Sequence, residues 1–476
     1  MNYSEYVGFD GLGIAQLISQ GEISADEAKA CALQGVERFS DLNAVISAAH
    51  EQPYETSGPF GGVPFLVKEL VLQARGAQCR SGSRAVGESA PAVADSELMA
   101  RFRKAGLHLG GTTQTPEMGY NATTETVAFG PVHNPWKAGH SAGGSSGGSG
   151  AAVAAGIVPV AHANDGGGSI RVPASCNGLV GLKPTRDRVP TGPFTADPLF
   201  AHAIELAVTR SVRDAATVLD CVAGADLGAP HVIDPGHGSF VDAAAAPPRK
   251  VKVAYTDGSL LSGVTMDAEN ATAARKTMEL MAGLGHEIVD CPISLDFEEF
   301  AHHINYIWCA FAAQFVEQTS AAMGCAKNTE NFEAVTLTCA EVGAATSALQ
   351  ILDALAYVNR ISREVAQAFT GFDVLLSSTL ATPPPVHGFL NQNDEAISAI
   401  DWTRKTFRYA NNTPIFNSTG QPAISLPMHW SADGLPVGIQ LAGPMGGEGL
   451  LLNLATQLEQ EAGWQDKLKL LASSRD

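Results

Sequence analysis

Positive charge is scarce in this 476-residue chain: 30 Lys and Arg stand against 49 Asp and Glu, a net charge of −19. So acidic a body repels phosphate backbones, and no basic run supplies a local exception, so a nucleic-acid partner is not expected. The same sign disfavours docking on anionic lipid. Long apolar runs are also missing. The longest weakly polar stretch, residues 151–163, contains Gly, Pro and His and is too short to span a bilayer. The opening MNYSEYVGFDGLG lacks the basic-then-apolar layout of a secretory leader. None of the eight cysteines forms a C-x-x-C pair, and no histidine cluster stands beside them, so no metal is expected. Scattered cysteines suit buried thiols in a reducing compartment, and the expected location is cytoplasmic.

What is present is a globular composition, with 45% hydrophobic and only 17% charged residues. The 49 glycines and 26 prolines call for many loops with demanding backbone geometry, which favours a large enzyme over a helical bundle. Ser24-Ala25-Asp26-Glu27 is a capping-box pattern before an Ala-rich amphipathic run. An apolar strand over 63–72 is interrupted by Lys68 and Glu69, and helix 96–105 leads to a strand and loop, LHLGGTTQTPEMGY. IVPVAHA (157–163) has the pattern of a buried strand, and SIRVPASC that of a helix start. Residues 223–250 are loose and rich in Pro, Gly and Ala, and residues 297–370 are mostly helical. Near the C-terminus FDVLLSST is strand-like, and PAISLPMHW pairs with LPVGIQLAG as a hairpin through SADG. Strands mixed with helices throughout predict an α/β fold with a mixed central β-sheet flanked by helices.

Two Gly-rich stretches carry the chemistry. GHSAGGSSGGSG (139–150) has three readings besides a catalytic loop of its own kind. A linker does not suit a position between a strand-loop segment and an Ala-rich helix. A phosphate loop needs a Lys that is absent. The G-x-S-x-G of a nucleophile elbow, as in an α/β-hydrolase esterase, is satisfied around Ser145, but NPWKAGHSA before it is not a strand. Twenty-four residues on stands Ser169, after Asn164-Asp165-Gly166-Gly167-Gly168. Successive glycines let backbone N–H groups converge on an oxyanion, and a Ser at the end of such a loop and the start of a helix is placed as a nucleophile. Its base is not local. Lys68, in an otherwise apolar strand, fits that role, because burial depresses an ammonium pKa toward a usable neutral amine.

GGVPFLVKEL, GGSSGGSGAAVAAG, NDGGGSIRVPASCNGLVGLKPT and FNSTGQPAISLP resemble, in order, the successive blocks of the amidase signature family. The resemblance covers most of the chain, so residues 1–476 are expected to form one domain of that fold. It implies a Ser–cis-Ser–Lys triad: Lys68 as base, Ser145 as bridge behind a cis Gly144–Ser145 peptide, and Ser169 as nucleophile. It implies an oxyanion hole from the N–H groups of Gly166, Gly167, Gly168 and Ser169. It also implies a cofactor-free hydrolase of amide C–N bonds, linear or cyclic, with anilides, esters and carbamates (urethanes) as secondary substrates. An amidotransferase-type subunit releasing ammonia from glutamine is the alternative within the family. Many members carry Asp-Thr-Gly-Gly-Ser where this chain has Asp165-Gly166-Gly167-Gly168-Ser169. The segments around the two loops look most like the bacterial branch that includes 6-aminohexanoate cyclic dimer hydrolases. In that branch a Cys near the substrate lies on a helix of the variable middle region, and Cys309 falls at a matching place.

Tyr306, Trp308 and Cys309, in a helical apolar run, are therefore candidates for the pocket wall, with ordinary core packing as the competing reading. Arg171 is expected to order the nucleophile loop rather than touch substrate. Glu69 should point away from Lys68 across the strand. The oligomeric state is open between monomer and homodimer, and the expected partner is a small-molecule amide.

Overall fold

The computed structural model describes residues 1–49, 53–234, 236 and 238–474. An eleven-stranded sheet runs through it. In chain order the strands are β1 (Val45–Ala48), β2 (Val63–Lys68), β3 (Leu107–Thr113), β4 (Val160–Asp165), β5 (Val180–Lys183) and β6 (Ile204–Thr209), followed by β7 (Lys252–Tyr255), β8 (Glu287–Asp290), β9 (Val374–Ser378), β10 (Ala423–Trp430) and β11 (Pro436–Ala442). Their spatial order is β1-β3-β2-β4-β6-β5-β10-β11-β9-β7-β8. β2 is parallel to β3 and β4, and β7 is parallel to β8 and β9, while all other neighbours are antiparallel. The mixed sheet flanked by helices expected from the sequence is thus the fold observed.

Burial explains the strand sequences. β2, β4, β5, β6 and β9 are buried at every residue, as strands covered on both faces are, and Val, Leu and Ala are their commonest residues. The edge strand β8 (EIVD) is half-exposed and carries acidic residues at both ends. β2 and β4, being parallel, end at the same edge of the sheet. That brings Lys68, the last residue of β2, beside Asn164 and Asp165, the last two of β4.

Helices fill in around this edge. α1 (Ala25–Arg38) begins with the expected reciprocal cap between Ser24 and Glu27. α2 (Glu97–Lys104) covers β3. α3 (Gly147–Ala154) starts inside the Gly/Ser stretch, four residues before the Ala-rich run that predicts it. Helix propensity is overridden there by close packing, since a Cβ at Gly148 would lie 2.5 Å from the Gln114 backbone nitrogen. α4 (Arg171–Asn177) follows the second Gly-rich loop. The loose segment 223–250 contains one short helix, α5 (Phe240–Ala245), capped by Ser239. Pro235 and His237 of that segment lie outside the described residues. The mostly helical region is α6 (Phe297–Met323), α7 (Ala334–Ala345) and α8 (Ala348–Ala368), and with α9 (Ala399–Tyr409) it builds a second apolar core beside the site edge. Among the described residues no single helix is long and apolar enough to cross a membrane.

Candidate active site

Lys68 is fully buried at the end of β2. Its Nζ lies 2.7 Å from Ser145 Oγ and donates to Asn164 Oδ1 at 2.6 Å. Burial outweighs the nearby carboxyls of Glu205 and Asp165 and brings its ammonium down to about 7. An amine that is half neutral near pH 7 can take a proton, which the lysines of a surface cannot. Glu69 points to the opposite side of the strand, as expected, where it pairs with Arg80 at 2.8 Å and accepts from Thr112 and Ser47.

Ser145 follows a cis Gly144–Ser145 peptide, as the resemblance implies, and is buried. The loop before it is pressed against its neighbours: a Cβ at Gly144 would stand 2.5 Å from the Thr123 carbonyl oxygen. Only glycine fits there.

Ser169 stands in the turn between β4 and α4. Among the described residues no hydrogen bond holds its hydroxyl. The turn is organised by a buried ion pair between Asp165 and Arg171, 2.9 Å apart. Burial would raise the Asp165 carboxyl, but the Arg171 guanidinium and hydrogen bonds overcome it and hold the group at about 2. Arg171 also reaches the Thr413 carbonyl, Gln440 and Asn417, so it is saturated and ties the loop to the chain before β10. This is the loop-ordering role expected for it.

Two expectations about this loop are corrected. The Gly168 N–H donates to Asp165 Oδ1 at 2.7 Å, which withdraws it from the oxyanion set. The N–H groups of Gly166, Gly167 and Ser169 remain as candidates. Moreover, α4 begins at Arg171, two residues past Ser169, and has only seven residues. The loop amides, not a helix terminus, are the donors at hand.

A cavity joins Ser145, Ser169, Gly166 and Trp308, and a second adjoins it around Ser169, Gly167, Trp308 and Phe407. Trp308 borders both cavities and is stacked on Tyr120 with ring centroids 4.3 Å apart. Tyr306 and Cys309 do not. Tyr306 turns to the other side of α6, where its hydroxyl accepts from Gln350 and its ring meets His302. Cys309 is buried against Asn305. At about 100° per residue, Trp308 lies about 160° round the helix from Tyr306 and about 100° from Cys309, which share the side facing away from the cavity. The glycine at 166 also has a structural counterpart. A Cβ there would come 2.8 Å from Leu199 and 3.4 Å from the Trp308 ring, so these two side chains occupy room that a larger residue would need.

Several site residues were not singled out from the sequence. Asn164 holds Lys68, and its own amide donates to the Leu70 carbonyl at 3.0 Å and reaches Glu205 at 3.4 Å. A polar residue at the end of an apolar strand, just before the Gly loop, was the available signal. Tyr120 and Phe407 carry no signal of their own, because aromatic residues in apolar runs are usually core. Among the described residues no cluster of His, Cys, Asp and Glu suits a metal ion.

This arrangement has known counterparts. The family model for amidases matches residues 23–452. The chain is 34% identical over 471 residues to the 6-aminohexanoate-cyclic-dimer hydrolase of Paenarthrobacter ureafaciens, covering 96% of this chain and 95% of that protein. It superposes on a solved structure of 6-aminohexanoate cyclic dimer hydrolase with a TM-score of 0.89, at 32% identity over 98% of this chain and 99% of the other. A bacterial aryl acylamidase follows at a TM-score of 0.85 and 25% identity, covering 98% of both chains. With its sheet, its two Gly-rich loops and nearly its whole length accounted for in this way, the chain belongs to the amidase signature family and is a hydrolase of amide carbon–nitrogen bonds.

Proposed function

We propose that the protein hydrolyses small-molecule amides through a Lys68–Ser145–Ser169 relay and an acyl-enzyme on Ser169. The observation that carries this reading is the buried Lys68 amine, brought down to about 7 and 2.7 Å from Ser145, which lines the same cavity as Ser169. Ser169 Oγ attacks the carbonyl carbon while its proton passes to Ser145, whose own proton passes to neutral Lys68. The negative oxygen that forms is met by the N–H groups of Gly166, Gly167 and Ser169. As the C–N bond breaks, Ser145 gives its proton to the departing nitrogen and regains one from Lys68. Water then attacks the ester by the same relay, losing its proton to Ser145, and Ser169 leaves with a proton restored.

Linear and cyclic amides are the substrate class, the latter supported by the likeness to the cyclic-dimer hydrolases. Anilides, esters and carbamates present the same carbonyl with equal or better leaving groups. A panel of simple amides, anilides, 6-aminohexanoate oligomers and carbamates tests the reading. Turnover is expected on part of the panel, with a loss of roughly 10⁴-fold or more in Ser169→Ala. Cleavage of glutamine alone, dependent on a copurifying partner, would select the amidotransferase reading instead.

A further inference from the structure

We propose that the enzyme prefers amides whose leaving amine carries a second, cationic nitrogen, and that the carboxylate of Glu205 binds it. The inference rests on the Ser169 acyl-enzyme reading above and narrows its substrate class.

Glu205 lies on β6, in register with Asn164 of β4, and only 5% of it is exposed. It lines the cavity that Ser145 and Ser169 share. One of its oxygens is engaged: Oε1 accepts from the Asn164 amide at 3.4 Å and lies 3.4 Å from His162 Nε2. Among the described residues no hydrogen bond reaches Oε2, and no Lys or Arg forms an ion pair with the carboxylate. A buried carboxylate oxygen without a donor is costly, and in a cavity wall an N–H of the ligand can supply one. Lys68 does not: its Nζ is engaged by Ser145 and Asn164, and in the relay it works uncharged.

The surroundings have the matching sign. Among the described residues Glu205 is the only charged residue lining this cavity. Asp197 is likewise the only one lining the open groove that continues it past Leu70, Val71 and Phe311. No Lys, Arg or His lines either space. Asp197 is 40% exposed and lies 3.7 Å from His231, so it adds attraction for a cation at the approach rather than a second buried contact.

Proton delivery places the cation on the amine half. The departing nitrogen must come within reach of Ser145 Oγ. From Ser145 a chain of contacts runs through Lys68 Nζ at 2.7 Å and Asn164 Oδ1 at 2.6 Å to Glu205, so the carboxylate stands on the Ser145 side of the nucleophile. The adjoining cavity, walled by Tyr120, Val172 and Phe407, touches Ser169 but neither Ser145 nor Glu205. A cation carried beyond the departing nitrogen therefore meets Glu205, whereas one carried on the acyl half is directed away from it.

Matched pairs of substrates test this. p-Aminomethylacetanilide carries an ammonium on the amine half, p-ethylacetanilide is its neutral isostere, and p-carboxymethylacetanilide carries the opposite charge. The β-alanyl and butyryl anilides form the corresponding pair on the acyl half. In native enzyme at about pH 8, kcat/KM should favour the aminomethyl over the ethyl compound by at least about tenfold, with the carboxymethyl compound poorest. The β-alanyl compound should gain nothing over the butyryl one. Glu205→Gln keeps the size of the side chain and removes its charge. It should lower the aminomethyl-to-ethyl ratio by about tenfold, toward one, a ratio in which any loss of rate common to both substrates cancels. Should that variant not fold, inhibition of the native enzyme decides: p-aminomethylaniline should inhibit at least about tenfold more strongly than p-ethylaniline. Equal cleavage of the aminomethyl and ethyl compounds by the native enzyme, an unchanged ratio in Glu205→Gln, equal inhibition by the two anilines, or a gain confined to the acyl pair would overturn the assignment. Acylation by p-nitrophenyl acetate, located by mass spectrometry in the peptide containing GGGSIR, separates the two readings. With Ser169 acylated, those outcomes overturn the cation site alone, whereas no acylation of Ser169 overturns the function and the site together.

Discussion

The amide oxygen of Asn164 lies 2.6 Å from Lys68 Nζ, and the two residues end neighbouring parallel strands. A neutral lysine has two N–H bonds and one lone pair. Asn164 can accept one of those N–H bonds, which leaves the lone pair for the Ser145 proton. The sheet register thus builds both the base and its orientation, with no loop needed to aim it.

The pH dependence follows from this site. Lys68 works only uncharged, and burial sets its ammonium at about 7. Below that value the protonated fraction grows, so kcat/KM should fall about tenfold per pH unit on acidification and reach a plateau above pH ~8. Lys68→Ala should lose most of the rate and this limb with it. A variant with an unchanged profile would remove Lys68 from the mechanism.

Asn164→Asp provides a signed test of the tether. A carboxylate beside Nζ favours the ammonium form, so the acid limb should move up by about 1–3 pH units. Activity at pH 7 would drop and return in more alkaline buffer. Asn164→Ala removes the acceptor without adding charge, and should lower kcat more than it changes KM. Identical limbs in native and aspartate enzymes would show that Asn164 does not contact the working base.

The Asp165–Arg171 pair should be worth most to stability. Arg171→Met leaves a buried carboxylate without its partner, and a loss of about 3–5 kcal/mol is expected in denaturant titration at pH 7. The folded Asp165 titrates at about 2, below its ordinary value of 3.8. Its contribution is therefore complete above the ordinary carboxylate range and is lost as pH falls toward 2. The Arg171→Met variant should show a shallower decline across that acid window than the native protein does.

Much of the site was legible in the sequence for a physical reason. Ser145 and Ser169 follow glycines whose Cβ would clash, at Gly144 with Thr123 and at Gly168 with Thr413, and Lys68 is a buried cation in an apolar strand, so each stands out from its surroundings in the sequence. The face of a helix is a finer matter. Trp308 and Cys309 are neighbours in an apolar run, and only the packing of α6 against Tyr120 and Asn305 decides which one meets the cavity. The withdrawal of the Gly168 amide was hidden for the same reason, since it depends on where Arg171 holds the Asp165 carboxylate. α5 was hidden in a Pro- and Gly-rich segment although Ser239 and Asp242 supply a cap.

The helical wall of the site should divide by residue. Trp308→Ala should alter relative kcat/KM across an amide panel, because the ring borders the space on both sides of Ser169. Tyr306→Phe should leave those ratios alone, since its hydroxyl only accepts from Gln350. Cys309→Ala should cost about 1 kcal/mol of stability from lost packing, with preference unchanged. A shift in preference from Cys309→Ala and none from Trp308→Ala would reverse this assignment.

The two serines make the sharpest distinction. Both stand in Gly-rich loops, and G-x-S-x-G surrounds Ser145, so the motif by itself would make Ser145 the nucleophile. The geometry argues otherwise. Ser145 is engaged by Lys68 at 2.7 Å, while the Ser169 hydroxyl is held by no hydrogen bond among the described residues and follows the loop amides that would receive an oxyanion. A hydroxyl that both donates and accepts can relay between the two. A fluorophosphonate should therefore modify Ser169, found by mass spectrometry in the peptide containing GGGSIR. Ser145→Ala should slow the labelling without moving it, because the proton path is broken and the nucleophile remains. Ser169→Ala should abolish it. Stoichiometric label on Ser145 in the native protein would sink the assignment and make Ser145 the attacking group.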